Sequence, residues 1–375
     1  NKGNANSTKS LKKHQKIKVM KRTVLFLAAL MTVAMSWAQI SKNEAKSLSA
    51  FLSQTSATGQ TNAAELGVGV KDAASIPGLK VENGHVTEID FSHKKLAGNL
   101  NLSGFASLRK VDVSDNRIQS LTLANNPELV GINASHNRLT EFAVTGCPQV
   151  QNVKLNSNHL VDIDLTTTPL LNTLNLSSNE FAALDVTYAN NLKTLNVIGN
   201  KLETLNVTGC QNLKNLYAAF NKLSSITLAG LTNLQNLNIN NNRIQKLYIQ
   251  DLPALATVLC SDNHMKQFSL QNCKNVNDIW APYNNLTSFT VSNVPTLAFV
   301  NVEWNDLTTL MLNNLNFLQR VNASNNQLVT VDVSFDPLLT TINLSYNEML
   351  TDFRSTADSQ LTHVIGYSEW DPYWD

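Results

Sequence analysis

Large aromatic side chains and a few carboxylates are the residues of this chain best placed to meet a ligand. Tyr217, Phe220, Leu259, Trp280, Tyr283, Phe299, Glu303 and Trp304 fall in one stretch. Gathered on one exposed face, such rings can bury against a protein partner. They can also carry sugar rings, with Asn, Asp262 and Glu303 as a polar rim. A third reading needs no ligand: the rings cover one another. Catalysis finds less to use. Asp262 and Glu303 could be imagined as a glycosidase pair, yet nothing in the sequence orients one toward the other. His85, His93, His136, His159, His264 and His363 are scattered, and HExxH, GxSxG, phosphate-loop and CxxC motifs are absent. Asp112 and Asp115 are too few oxygens for calcium, which takes six to eight. No enzyme activity, metal or cofactor is expected.

What positions these residues is a repeat. Asn116, Asn137, Asn158, Asn179, Asn200, Asn221, Asn242, Asn263, Asn284, Asn305, Asn326 and Asn347 are each 21 residues apart. Apolar residues stand eight, five and three positions before each Asn and two after it. One unit reads Leu171-x-x-Leu174-x-Leu176-x-x-Asn179-x-Phe181. This LxxLxLxxNxL pattern resembles the leucine-rich repeats of secreted bacterial proteins, closest to the internalin-like type. The match covers residues 86–350. The resemblance implies a solenoid with a parallel sheet lining a concave face, and names no partner.

Physical chemistry reaches the same shape. Side chains alternate along a strand, so Leu174 and Leu176 point inward and Asn175 outward. One turn cannot bury its apolar edge alone, whereas stacked turns share a core. The recurring Asn sits where the chain bends inward, and its amide can bond backbone groups that the sheet leaves unpaired. Twelve copies make an internal ladder. A second alternation follows each Asn, as in Leu121/Leu123, Ile163/Leu165, Leu205/Val207, Leu247/Ile249, Leu310/Leu312 and Val331/Val333. Its period of two predicts short outer strands rather than helices. The fold is therefore mostly β, a solenoid of twelve to thirteen turns with a small helical N-terminal cap.

The ends must differ, because a bare terminal turn exposes core. Residues 39–85 read as an N-terminal cap, with a helix over about 41–54. Ser41 and Glu44 form its capping box, and Leu48, Phe51 and Leu52 its apolar side. Gly78 to Gly84 reads as a turn region. The motif fades after Met349, and 351–375 read as a C-terminal cap in which Phe353, Leu361, Val364, Tyr367, Trp370 and Trp374 cover the last turn.

Net charge is +1 over 375 residues, but the bases are uneven. Residues 1–38 hold eight of the 29 Lys and Arg and none of the 28 Asp and Glu. Met20-Lys21-Arg22, an apolar run from Val24 to Met35 and Ser36-Trp37-Ala38 read as a signal peptide over 20–38, cleaved after Ala38. Residues 1–19 read as an upstream extension outside the mature protein. The apolar run is too short to span a membrane. The mature chain then carries 21 bases against 28 acids, a net of −7. That excludes nucleic acid as a partner, since phosphate binding needs clustered bases. Four cysteines are too few for a disulfide scaffold. Cys147, Cys210 and Cys273 lie three turns apart, too far to bridge. Free buried thiols are expected, with a Cys260–Cys273 bridge as the alternative.

The reading adopted is a bacterial protein, secreted, periplasmic or on the cell surface, that binds a protein partner through the aromatic patch, possibly in adhesion to host or matrix. Glycan binding by the same patch is the alternative.

Overall fold

Alternation within each repeat decides the architecture. The computed structural model describes residues 40–69, 76–356 and 360–366. The signal peptide and Tyr367, Trp370 and Trp374 lie outside the described residues. A 15-stranded sheet runs the length of the solenoid, all but one of its strands parallel. Register is constant from turn to turn: Leu174 pairs with Leu195, Leu195 with Leu216 and Leu216 with Leu237. The leucines of each unit, Leu171, Leu174 and Leu176 among them, are fully buried and join one continuous core.

The outer side carries short parallel strands, in one sheet of two and three sheets of three. Leu121 and Leu123, Leu247 and Ile249, and Leu310 and Leu312 are buried there. Ile163 and Leu165 are the exception, because no strand forms over them. The Asp164 carboxylate accepts hydrogen bonds from the Thr166 N–H (2.9 Å) and hydroxyl (2.7 Å). That local turn replaces the outer ladder.

The twelve asparagines form the ladder, and each ties its turn to the one before. In Asn179 the amide donates to Leu155 O (2.9 Å) in the previous turn and to Leu176 O (3.0 Å) in its own. Its Oδ1 accepts the Leu160 N–H at 3.0 Å. All are buried except Asn200, which is half-buried. Asn200 follows Gly199, the one residue in that column with no side chain to cover the neighbouring amide.

At the N-terminus helix α1 (Lys42–Leu52) lays Leu48, Phe51 and Leu52 on the core, followed by α2 (Asn62–Glu65). The capping box does not form. The Ser41 side chain makes no cap bond. Glu44 is instead drawn inward, where its carboxylate accepts the Val86 N–H (3.1 Å) and meets His85 Nδ1 (3.1 Å). A buried N–H at the sheet edge competes for Glu44 better than the solvated helix end does. Residues 78–84 are not merely a turn. Strand β1 (Leu79–Glu82) pairs antiparallel with β2 (His85–Asp90). Asn83 and Gly84 connect them, both with positive φ, the dipeptide that favours a tight hairpin. At the other end the sheet outlasts the motif. His363–Ile365 pairs with Thr341–Asn343, and Asp352–Arg354 continues the outer side, so the solenoid runs a turn past residue 350. Phe353, Leu361 and Val364 pack on the core.

All four cysteines are free and buried. Cys147 and Cys210 donate to carbonyls of the preceding turn, Leu123 O (3.1 Å) and Val186 O (3.2 Å). Burial pushes the Cys210 thiol up to about 11 and Cys260 well above the usual thiol range, which leaves them inert.

Candidate functional site

The outward column in the middle of each inner strand is filled mostly by asparagine, and its role is local. Asn133, Asn175, Asn322 and Asn343 each accept, through Oδ1, the N–H and hydroxyl of the serine two residues on. These Asx turns lead the chain off the strand, and they explain the recurring Asn-x-Ser triplets. The asparagines of this face are therefore engaged, not a free polar rim. Tyr217, Leu259 and Trp280 stand in the same column and give up that turn bond. At Trp280 nothing is lost, because the residue two further on is Pro282, which has no N–H to satisfy.

The column just before the ladder asparagine has a stricter backbone. All twelve of its residues, from Asp115 to Tyr346, have φ between +53° and +69°. Left-handed backbone suits Gly, Asn and Asp, and costs other residues about 1–2 kcal/mol. Asp115, Gly199, Asn241, Asp262 and Asn325 fit it. Phe220, Tyr283, Trp304 and Tyr346 do not, yet they occupy it with 59%, 51%, 51% and 74% of their surface exposed. No burial repays the strain within the monomer. Strained residues that persist cluster where a molecule binds or acts.

The rings form two stacks on adjacent turns. Tyr283 and Trp304 lie nearly parallel, with centroids 6.0 Å apart and planes at 13°. Trp280 and Phe299 are 4.7 Å apart at 41°. The Arg320 guanidinium lies 5.6 Å from the Phe299 ring. Trp280 remains exposed, while Phe299, Tyr217 and Leu259 are half-buried. The sequence residues thus separate into a core of four stacked rings and three outlying members, Tyr217, Phe220 and Leu259, in earlier turns. Each stacked ring spends a face on its neighbour and turns edges toward solvent. Glu303 lies between the stacks by register. Its Oε1 accepts from Asn301 (3.2 Å) and its Oε2 from Asn322 (2.9 Å). Arg320 and Tyr346 escaped the sequence reading. The 21-residue register could have found both, since Arg320 follows Phe299 in its column and Tyr346 closes the column of Trp304.

No family model matches the chain, and no curated protein sequence matches it. Solved structures do. The functional domain of InlJ from Listeria monocytogenes, whose structure includes a cysteine ladder, superposes with a TM-score of 0.55 at 20% identity, over 81% of this chain and 67% of that one. YopM, a leucine-rich effector protein from Yersinia pestis, gives 0.56 at 21%, over 74% and 79%. PEPR1 in the PEPR1-AtPEP1 structure gives 0.63 at 20%, over 88% of this chain and 52% of that one, so the chain spans about half its length. The chain is a leucine-rich-repeat protein by fold.

Elsewhere this leucine-rich-repeat face is polar. A shallow basin of about 490 Å3 opens over Gly131, lined by Lys110, Asp112, Asn133 and Lys154. Asp112 there is held by Ser114 and Asn133, and Asp115 lies 3.4 Å from His93, so the two carboxylates do not converge. Among the described residues no three His, Cys, Asp or Glu could hold a metal ion. Asp262 and Glu303 stand in different columns two turns apart. No helix among the described residues is long and apolar enough to cross a membrane.

Proposed function

We propose that this solenoid is an exported, non-enzymatic recognition module that holds a protein partner on the aromatic part of its long sheet, in adhesion to host or matrix. The observation that carries this reading is the left-handed column, where Phe220, Tyr283, Trp304 and Tyr346 hold strained backbone while exposed. A partner that buries these rings supplies the energy that the free monomer lacks. The stacking favours protein over sugar. A sugar needs an open ring face, and the two stacks spend faces on each other while offering edges to side chains and backbone of a polypeptide. The PEPR1-AtPEP1 structure is a complex on this fold, which supports the same choice. Export rests on the residues read as a signal peptide.

The test is capture of partners from host and matrix extracts with the parent chain and with Trp280→Ala/Trp304→Ala. Binding of a defined protein by the parent, lost at least 10-fold in the double variant, is the expected result. An intact interaction in the double variant would move the site elsewhere. Hits on a glycan array with no protein capture would turn the reading to a lectin.

A further inference from the structure

Glu303 is the one charged residue in its column; the other repeats hold serine, asparagine or an apolar residue there. Its carboxylate is fixed from two turns at once. Asn301 donates to one oxygen at 3.2 Å and Asn322 to the other at 2.9 Å, while the Glu303 N–H donates back to Asn301 Oδ1 at 3.0 Å. The amides orient the carboxylate without neutralising it, and among the described residues Glu303 takes part in no ion pair. A carboxylate oxygen has two lone-pair sites, so each keeps one for an incoming donor. Asp262 and Asp278 add negative charge to this face. Its one nearby cation, Arg320, lies over Phe299.

A half-buried carboxylate with both oxygens aligned and aromatic rings on either side has a matching ligand group. A guanidinium is planar, presents parallel N–H donors at carboxylate spacing and rests against aromatic rings. Arg320 against Phe299 already makes the second of those contacts on this face. An ammonium ion offers a point charge and cannot make the paired bonds. We infer that Glu303 is the specificity-determining residue of the aromatic face, and that it anchors an arginine carried on a basic segment of the partner protein. This rests on the protein-recognition reading and states what that protein must present.

A randomised 12-residue peptide library, selected against the parent chain, tests it. Selected peptides should be enriched in arginine. Replacing that arginine by citrulline or lysine should weaken binding at least 10-fold, read by fluorescence anisotropy. In Glu303→Gln, which keeps an oxygen acceptor, the arginine and citrulline peptides should bind within 2-fold of each other, with an unchanged melting temperature showing an intact fold. Asp262→Asn, a control for general surface charge, should preserve the discrimination. Peptides selected without arginine, equal binding of the citrulline forms to the parent, or loss of discrimination in Asp262→Asn would overturn the inference while leaving protein recognition standing. A parent chain that selects no peptide and binds oligosaccharides would overturn both.

Discussion

Two columns run side by side through this molecule, one residue apart. The inner one is asparagine in twelve turns; the outer one changes from Asp115 and His136 through Gly199 to Tyr283, Trp304 and Tyr346. Both face a uniform backbone demand, an inward bend for one and a left-handed φ for the other. The inner column answers it with one residue type because its hydrogen bonds are the same in each turn. The outer column is open to solvent, so it can carry residues that suit a partner better than they suit the backbone. Uniformity marks the fold here, and deviation from an easy backbone choice marks recognition.

The largest way to break this comparison is to damage the inner column. Asn242→Ala removes donors to Ala218 O, Ile239 O and Asn240 O and the acceptor for the Leu223 N–H. Buried groups left unpaired cost about 1–3 kcal/mol each, so urea unfolding should show a loss of about 3 kcal/mol or more. A loss below about 1 kcal/mol would mean that water replaces the ladder. In the outer column, Trp280→Ala/Trp304→Ala should cost little stability while lowering partner affinity at least 10-fold by titration; equal losses in both would merge the two columns.

A third test uses an interior column that is not uniform. Asn126 and Asp336 occupy equivalent positions ten residues after a ladder asparagine. Asn126 accepts the Phe105 N–H and donates to Leu102 O. Asp336 accepts the Leu315 N–H at 2.7 Å, but its second oxygen is buried without a partner. Burial pushes its carboxyl up to about 7, against the lowering effect of the Leu315 N–H and with help from Asp332. The folded state therefore holds this proton more tightly than the unfolded chain, whose carboxyl keeps its ordinary value of 3.8. Stability from this group should fall as pH rises from about 4 to about 7, and stay low above that. Asp336→Asn should remove the slope and melt higher than the parent at pH 8, by about 2–4 °C per kcal/mol recovered. Parallel melting curves of the two proteins against pH would show that Asp336 is not held neutral. The smallest effect is Phe220→Asn, which relieves left-handed strain and should stabilise by about 1 kcal/mol. Destabilisation would show that the ring packs usefully in the monomer.

The inner column was legible in the sequence because its signal is repetition: Asn116 through Asn347 at constant spacing admit one reading. The aromatic residues were legible by the same register, which placed Trp280 and Trp304 outward. The strain was not, since a left-handed φ leaves no mark when Phe220 or Trp304 fills a position that Asn241 or Asp262 fills elsewhere. The asparagines of the outward column misled in the other direction. They look like available hydrogen-bonding groups, and serine two residues on consumes them. Glu44 shows the limit of local motifs. A correct capping-box pattern lost its glutamate to Val86 and His85, more than forty residues away.

The direction of the ladder bonds has a mechanical consequence. Each asparagine donates to, and accepts from, the turn before it, so adjacent turns are joined by near-identical links in series. Tension applied along the axis meets one link at a time rather than many in parallel. Peeled from its C-terminal end, the molecule should lengthen in equal steps of one 21-residue turn, at nearly level force.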